Sequence, residues 1–148
     1  MTFKTLFILL AFMMALEVRA DEQTLAEYLK QFDYDARVEM KAGTRELIKL
    51  LQTGKVQLID IRFKEEYAAW HMGAATNIPI NELPERLDEL DKSKIIVTAC
   101  PHRDRAIIAM AYLKTKGYET MYLKDGLIGL AEYLRGDNAY DFIHQMRK

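Results

Sequence analysis

Two strand-length apolar runs, Val56–Ile61 and Lys94–Ala99, constrain this chain most, because each leads into a helical pattern rather than a tight turn. The second, Lys-Ile-Ile-Val-Thr-Ala, lacks the polar alternation of a strand with one wet face and suits the centre of a parallel sheet. Its sequel, Arg105–Lys116, is apolar on nearly every face from Ala106 to Leu113, ends at Gly117 and reads as a buried helix. Strands that alternate with helices predict an α/β fold in which helices cover both faces of a parallel sheet.

The remaining elements fit that frame. Leu25, Tyr28, Leu29 and Phe32 recur at helical spacing over Thr24–Phe32. Ala36, Val38 and Met40 alternate with charged residues up to Gly43 and predict a short half-buried strand. Thr44 is expected to cap a helix running to Thr53, with Leu47, Leu50 and Leu51 inward and Gly54 as its stop. Between the two apolar strands the pattern predicts a short helix near Lys64–Trp70, an extended piece at Thr76–Ile78 and a polar helix around Leu83–Leu90. Beyond Gly117 come a strand at Thr120–Leu123, a helix over Leu127–Leu134 and a helical tail over Gly136–Lys148. At 148 residues with 50% hydrophobic side chains, there is material for one core.

The first twenty residues read as a signal peptide. Lys4 lies in a short basic region, Leu6–Leu16 is apolar, and Val18-Arg19-Ala20 forms a small-residue cleavage box before Asp21. The apolar run is shorter than the roughly 20 residues a spanning helix needs, so a stable membrane anchor is not expected. The expected product is cleaved after Ala20 and is periplasmic or secreted. Lys and Arg number 21 against 22 Asp and Glu, a balance that gives no field to draw the protein onto nucleic acid.

The sole cysteine, Cys100, excludes an internal disulfide framework and any four-thiolate zinc site. The histidines, His71, His102 and His144, are scattered, and Cys100 with His102 supplies only two of the three or four ligands a metal needs, so no metal is expected. No GxGxxG or Walker pattern occurs, and no organic cofactor is expected. Cys100 nevertheless sits where the most apolar strand ends and the most apolar helix begins, the edge at which open α/β sheets bind ligands. In Cys100-Pro101-His102-Arg103-Asp104-Arg105, two guanidinium groups, an imidazole and the following helix N-terminus favour thiolate, and Asp104 alone opposes it. A helix dipole contributes only about 0.3–1 kcal/mol, so loop amides and Arg103 or Arg105 are expected to supply the rest. Asp104 is expected as the N-cap of that helix.

Several further motifs occur in order: Leu58-Ile59-Asp60-Ile61-Arg62, Glu66-Tyr67, His71-Met72-Gly73-Ala74 and Asn77-Ile78-Pro79. Together with the Cys100 strand and Lys116-Gly117-Tyr118, this series resembles the rhodanese-like sulfurtransferase domains over roughly Ala36–Leu134. The resemblance implies a five-stranded parallel sheet flanked by helices on both faces. With the signal read above, the chain divides into residues 1–20 as signal, 21–35 as helical extension, 36–135 as rhodanese-like domain and 136–148 as a helical tail. It implies that Cys100 is the sulfur-accepting nucleophile and that His102, Arg103, Asp104 and Arg105 form the active loop. Asp60 and Arg62 are implied to brace that loop, and His71 to be structural.

Two departures stand out. Where family members often carry Arg-Ser-Gly after the cysteine, this chain has Pro101-His102-Arg103, which removes one amide proton and would strain Arg103 if positive φ were needed. Where they tend to show Gly-Gly and Trp after the last strand, it has Asp125-Gly126 and Leu130. The implied function is transfer of sulfane sulfur from a small anionic donor, thiosulfate or polysulfide, through a Cys100 persulfide to a thiol, cyanide-like or protein acceptor. The alternatives are a non-catalytic sulfur carrier or partner-binding module and, more remotely, a phosphatase or arsenate reductase.

Overall fold

A computed structural model describes residues 22–146; residues 1–20, expected to be a signal peptide, lie outside the described residues. Two short helices open it, α1 (Leu25–Lys30) and α2 (Tyr34–Glu39), followed by β1 (Lys41–Ala42) and α3 (Thr44–Gln52). Next come β2 (Val56–Asp60), α4 (Lys64–Ala69), β3 (Ala75–Asn77) and two 3-10 turns at Leu83–Glu85 and Leu87–Glu89. The chain then continues through β4 (Ile95–Ala99), α5 (Asp104–Thr115), β5 (Thr120–Leu123), α6 (Gly126–Tyr133) and α7 (Asp137–Met146).

The five strands form one parallel sheet in the order β1-β5-β4-β2-β3, which places β4 in the middle. Period-two alternation then explains the unbroken apolar run of β4. Val97 and Ala99 face Leu47, Leu51, Leu123, Leu127 and Phe142 on one side, whereas Ile96 joins Ile59, Ala106, Met110 and Leu113 on the other. Helices α3, α6 and α7 cover the first face, and α5 covers the second.

Four local expectations are corrected. Residues 36–40 are mostly helix: the Asp33 carboxylate accepts from the Ala36 amide 2.9 Å away and starts α2, so Val38 is 63% exposed and only Lys41–Ala42 pair with the sheet. Thr44 is the first residue inside α3 rather than its cap. Its amide and hydroxyl donate to Asp125 Oδ2 at 2.9 and 3.0 Å, so a residue 81 positions away tethers the helix start. Leu83–Leu90 forms two 3-10 turns instead of one helix, because the chain breaks between them at Arg86, whose φ −122° and ψ 26° lie outside the helical region. Helix α5 is not buried all round, since Ile108 is 62% exposed.

Candidate active site

The C-terminal ends of the three internal strands lie on one edge of the sheet. Cys100 follows β4, the Asp60–Arg62 pair closes β2, and Lys124-Asp125-Gly126 follows β5. Cys100 is 0% exposed and belongs to the core on the α5 side. The backbone around it is anchored on three sides. Ile61 N donates to Ala99 O at 3.0 Å, the Thr98 hydroxyl donates to Ala106 O at 2.8 Å, and Leu127 N donates to Cys100 O at 2.8 Å. Ile128 N adds a bond to Pro101 O at 3.3 Å. The first amides of α6, which have no partner inside their own helix, thus hold the carbonyls of the cysteine loop.

Gly126 makes that approach possible. Its φ is +67°, and a Cβ there would lie 2.3 Å from the carbonyl oxygens of both Pro101 and His102. The sequence showed Gly126 only as a departure from a Gly-Gly pair; its place right after a strand and ahead of an apolar helix was the available signal. The 101–103 segment is unstrained. Arg103 has φ −159°, and no non-glycine residue among the described residues has positive φ.

The structure brings Asp104 to the thiol rather than to a cap. Arg103 holds the N-cap position of α5 without a side-chain bond, Asp104 is the first helical residue, and its Oδ1 accepts from Cys100 Sγ at 3.5 Å. Burial pushes the Cys100 thiol above its ordinary range. The Asp104 carboxylate adds to the rise, while the backbone amides of Ala106 and His102 act in the opposite direction. The expected thiolate is therefore corrected: in this arrangement the sulfur is held as a thiol. The Asp104 carboxyl lies below the usual range, chiefly through the Arg105 backbone amide, with the thiol contributing.

Arg105 offsets this charge only from a distance, because its guanidinium is bonded first to Glu66. Its Nη1 and Nη2 donate to Glu66 Oε2 and Oε1 at 2.7 and 2.8 Å, and its guanidinium carbon lies 5.8 Å from the centre of the Phe63 ring. Those two N–H groups hold the Glu66 carboxyl down to about 2. Glu66 stood in the sequence as a motif position without a role. His102 and Arg103 are exposed on the outer side of the loop.

Asp60 and Arg62 form a wholly buried pair. Arg62 Nε and Nη2 donate to the Asp60 carboxylate at 2.9 and 2.6 Å, Nη2 also reaches Trp70 O at 2.7 Å, and the guanidinium carbon sits 4.2 Å from the Trp70 ring centre. Asn77 Nδ2 donates to the carbonyls of Asp60 and Arg62, both at 2.9 Å. The pair thereby fastens the α4–β3 segment to β2. Its link to the cysteine loop runs indirectly, through Glu66 on α4 to Arg105. His71 is stacked on Tyr67, its Nδ1 3.1 Å from the Tyr67 carbonyl oxygen. Among the described residues no cluster of His, Cys, Asp or Glu is arranged to hold a metal, and no helix is long and apolar enough to cross a membrane.

Comparison with known proteins agrees with this geometry. A sulfurtransferase of Allochromatium vinosum is 33% identical over 86 residues, which cover 57% of this chain and 80% of that protein. An HTH-type transcriptional regulator of Mycobacterium tuberculosis is 34% identical over 114 residues, 76% of this chain; the match spans half of the regulator's length. Among solved structures, a rhodanese-like domain protein from Staphylococcus aureus superposes with a TM-score of 0.56 at 27% identity, covering 61% of this chain and 89% of that one. Residues 44–132 match the rhodanese-like domain family, and with a five-stranded parallel sheet of that architecture the chain belongs to it.

Proposed function

We propose that the protein is an exported sulfurtransferase in which Cys100 carries the sulfur. The observation that carries this reading is the placement of the sole cysteine at the end of the central strand, in a loop whose His102 and Ala106 amides act on its sulfur. Family membership and a sulfurtransferase among its relatives support it. With thiosulfate as donor, the Cys100 thiolate attacks the outer sulfur. A Cys100 S–S bond forms, the S–S bond of thiosulfate breaks, and sulfite leaves with the bonding pair. An acceptor thiolate or cyanide then takes the outer sulfur and regenerates the Cys100 thiolate. The amides of His102 and Ala106 stabilise the persulfide anion as they would any sulfur-borne charge.

A second reading, a sulfur carrier or partner-binding module, draws on the complete coverage of Cys100 and the pressure on it to stay protonated. A phosphatase or arsenate reductase needs an arginine turned toward an oxyanion in the loop, and Arg105 is instead forked onto Glu66.

Intact-mass measurement of the purified protein before and after thiosulfate or polysulfide tests the proposal, with Cys100→Ser alongside. The expected result is the gain of one cyanide-removable sulfur in the wild type and none in the variant. Absence of sulfur uptake by the reduced, folded wild type overturns it. Loading without repeated turnover on a small acceptor favours the carrier. The same spectrum reads the mature N-terminus, expected after Ala20.

A further inference from the structure

The charge nearest the Cys100 sulfur is negative. Asp104 Oδ1 lies 3.5 Å from Sγ, and Asp104 is exposed whereas Cys100 is fully covered, so this carboxylate reaches from the sulfur to solvent. The cation best placed to cancel it, Arg105, shares its charge with Glu66 through two N–H bonds. Arg103, the other loop guanidinium, is exposed and makes no cap with its side chain. Bonds from backbone and thiol keep the Asp104 carboxyl ionised through the neutral range.

Donors of sulfane sulfur differ in the charge they bring. Thiosulfate arrives as a dianion and its charge departs with sulfite, so during the transfer two negative charges besides that on the attacking sulfur lie close to Asp104. Like charges at such separations repel appreciably even near a protein surface. A thiol persulfide, R–S–SH, brings at most one on its reacting sulfurs. We propose that Asp104 is the specificity-determining residue of this site, disfavouring dianionic sulfur donors and selecting thiol persulfides. The assignment rests on the sulfurtransferase reading above and narrows its donor.

The favoured transfer is Cys100–SH plus R–S–SH to give Cys100–S–SH plus R–SH. The Cys100 sulfur bonds to the outer sulfur, the R–S bond to that sulfur breaks, and the proton lost by Cys100 ends on the departing thiol. No oxidant or reductant enters.

The experiment compares initial rates of Cys100 persulfidation, read by intact mass, with thiosulfate and with cysteine persulfide, for wild type, Asp104→Asn and Asp104→Glu. Asp104→Asn is expected to raise the thiosulfate rate by about tenfold and the persulfide rate by no more than about threefold, a screened like-charge effect. Asp104→Glu keeps the wild-type ratio. A measurement on the wild type alone is independent of whether the variants fold: raising ionic strength should accelerate thiosulfate more than persulfide. Wild type that takes sulfur from neither donor overturns the sulfurtransferase reading, and this assignment with it. Wild type that accepts both donors, with their ratio unmoved by Asp104→Asn and by salt, overturns the assignment alone.

Discussion

Arg105 and Glu66 meet fork to fork, Nη1 to Oε2 at 2.7 Å and Nη2 to Oε1 at 2.8 Å, and so join the first turn of α5 to α4 on the far side of the cysteine loop. Both side chains are partly exposed, so the pair contributes about 0.5–1 kcal/mol rather than what a buried pair would. Glu66→Gln is expected to lower unfolding free energy at pH 7 by about 1 kcal/mol. Because the folded carboxyl sits near 2 and the ordinary value is 4.5, the contribution is complete above about 4.5 and is lost as pH falls toward 2. Urea unfolding of both proteins at neutral pH and again below pH 3 checks this: the gap between them should close in acid, and a gap independent of pH contradicts it.

The buried pair is a different case. Asp60 and Arg62 are 0% and 1% exposed, and removing either partner leaves a charge in the core. Arg62→Met is expected to cost about 3–5 kcal/mol, seen as a shifted denaturant midpoint. The double variant Asp60→Leu with Arg62→Met should recover part of that loss, since no uncompensated charge remains.

Gly126→Ala should destabilise by more than the φ penalty alone. At Gly54, where φ is also +67° and nothing lies within 4 Å, Ala is expected to cost about 1 kcal/mol. At Gly126 the added methyl meets two carbonyl oxygens as well, and a total of about 3 kcal/mol or more is expected. Parallel denaturant titrations of the two variants compare the sites directly. Equal losses would show that the loop moves aside freely.

Cys100 should alkylate slowly at neutral pH. Burial raises its thiol above the ordinary range, so the thiolate fraction, and with it the iodoacetamide rate, should climb only at alkaline pH and pass the rate of a small thiol nowhere near pH 7. Asp104→Asn removes one of the causes of the rise and should move the rate profile to lower pH. A wild-type profile with its midpoint below that of free cysteine contradicts both statements.

Much of the fold was legible because the β4 run and its following helix admit few alternatives, and β5 appears at the residues expected. The miss at residues 36–40 has a local cause. Ala36, Val38 and Met40 alternate as a strand does, yet Asp33 supplies a cap whose competing bond no periodicity registers. The loop residues were identifiable from their position after β4. Their electrostatics were not, because the direction a long side chain takes depends on partners distant in sequence. Arg105 looks like a partner for Cys100 in the linear order and is drawn off by Glu66, 39 positions earlier. Asp104, expected at the N-cap, is the first residue inside the helix and accepts from the sulfur as well as from the Arg105 amide.

The order β1-β5-β4-β2-β3 has a consequence for how the chain reaches its final form. Lys41 and Ala42 pair with Tyr122 and Leu123, and Thr44 is tied to Asp125, so one edge of the sheet closes a loop of about eighty residues. Such closure is slow relative to local pairing because its entropy must be spent before contacts repay it. On a ribosome releasing residues in order, β2, β3 and β4 have their neighbours long before β1 does. The same late-arriving segment carries Gly126 and the amides that grip the Cys100 loop. In a nascent chain, β2, β3 and β4 are therefore free to pair before the segment that anchors the cysteine loop has emerged.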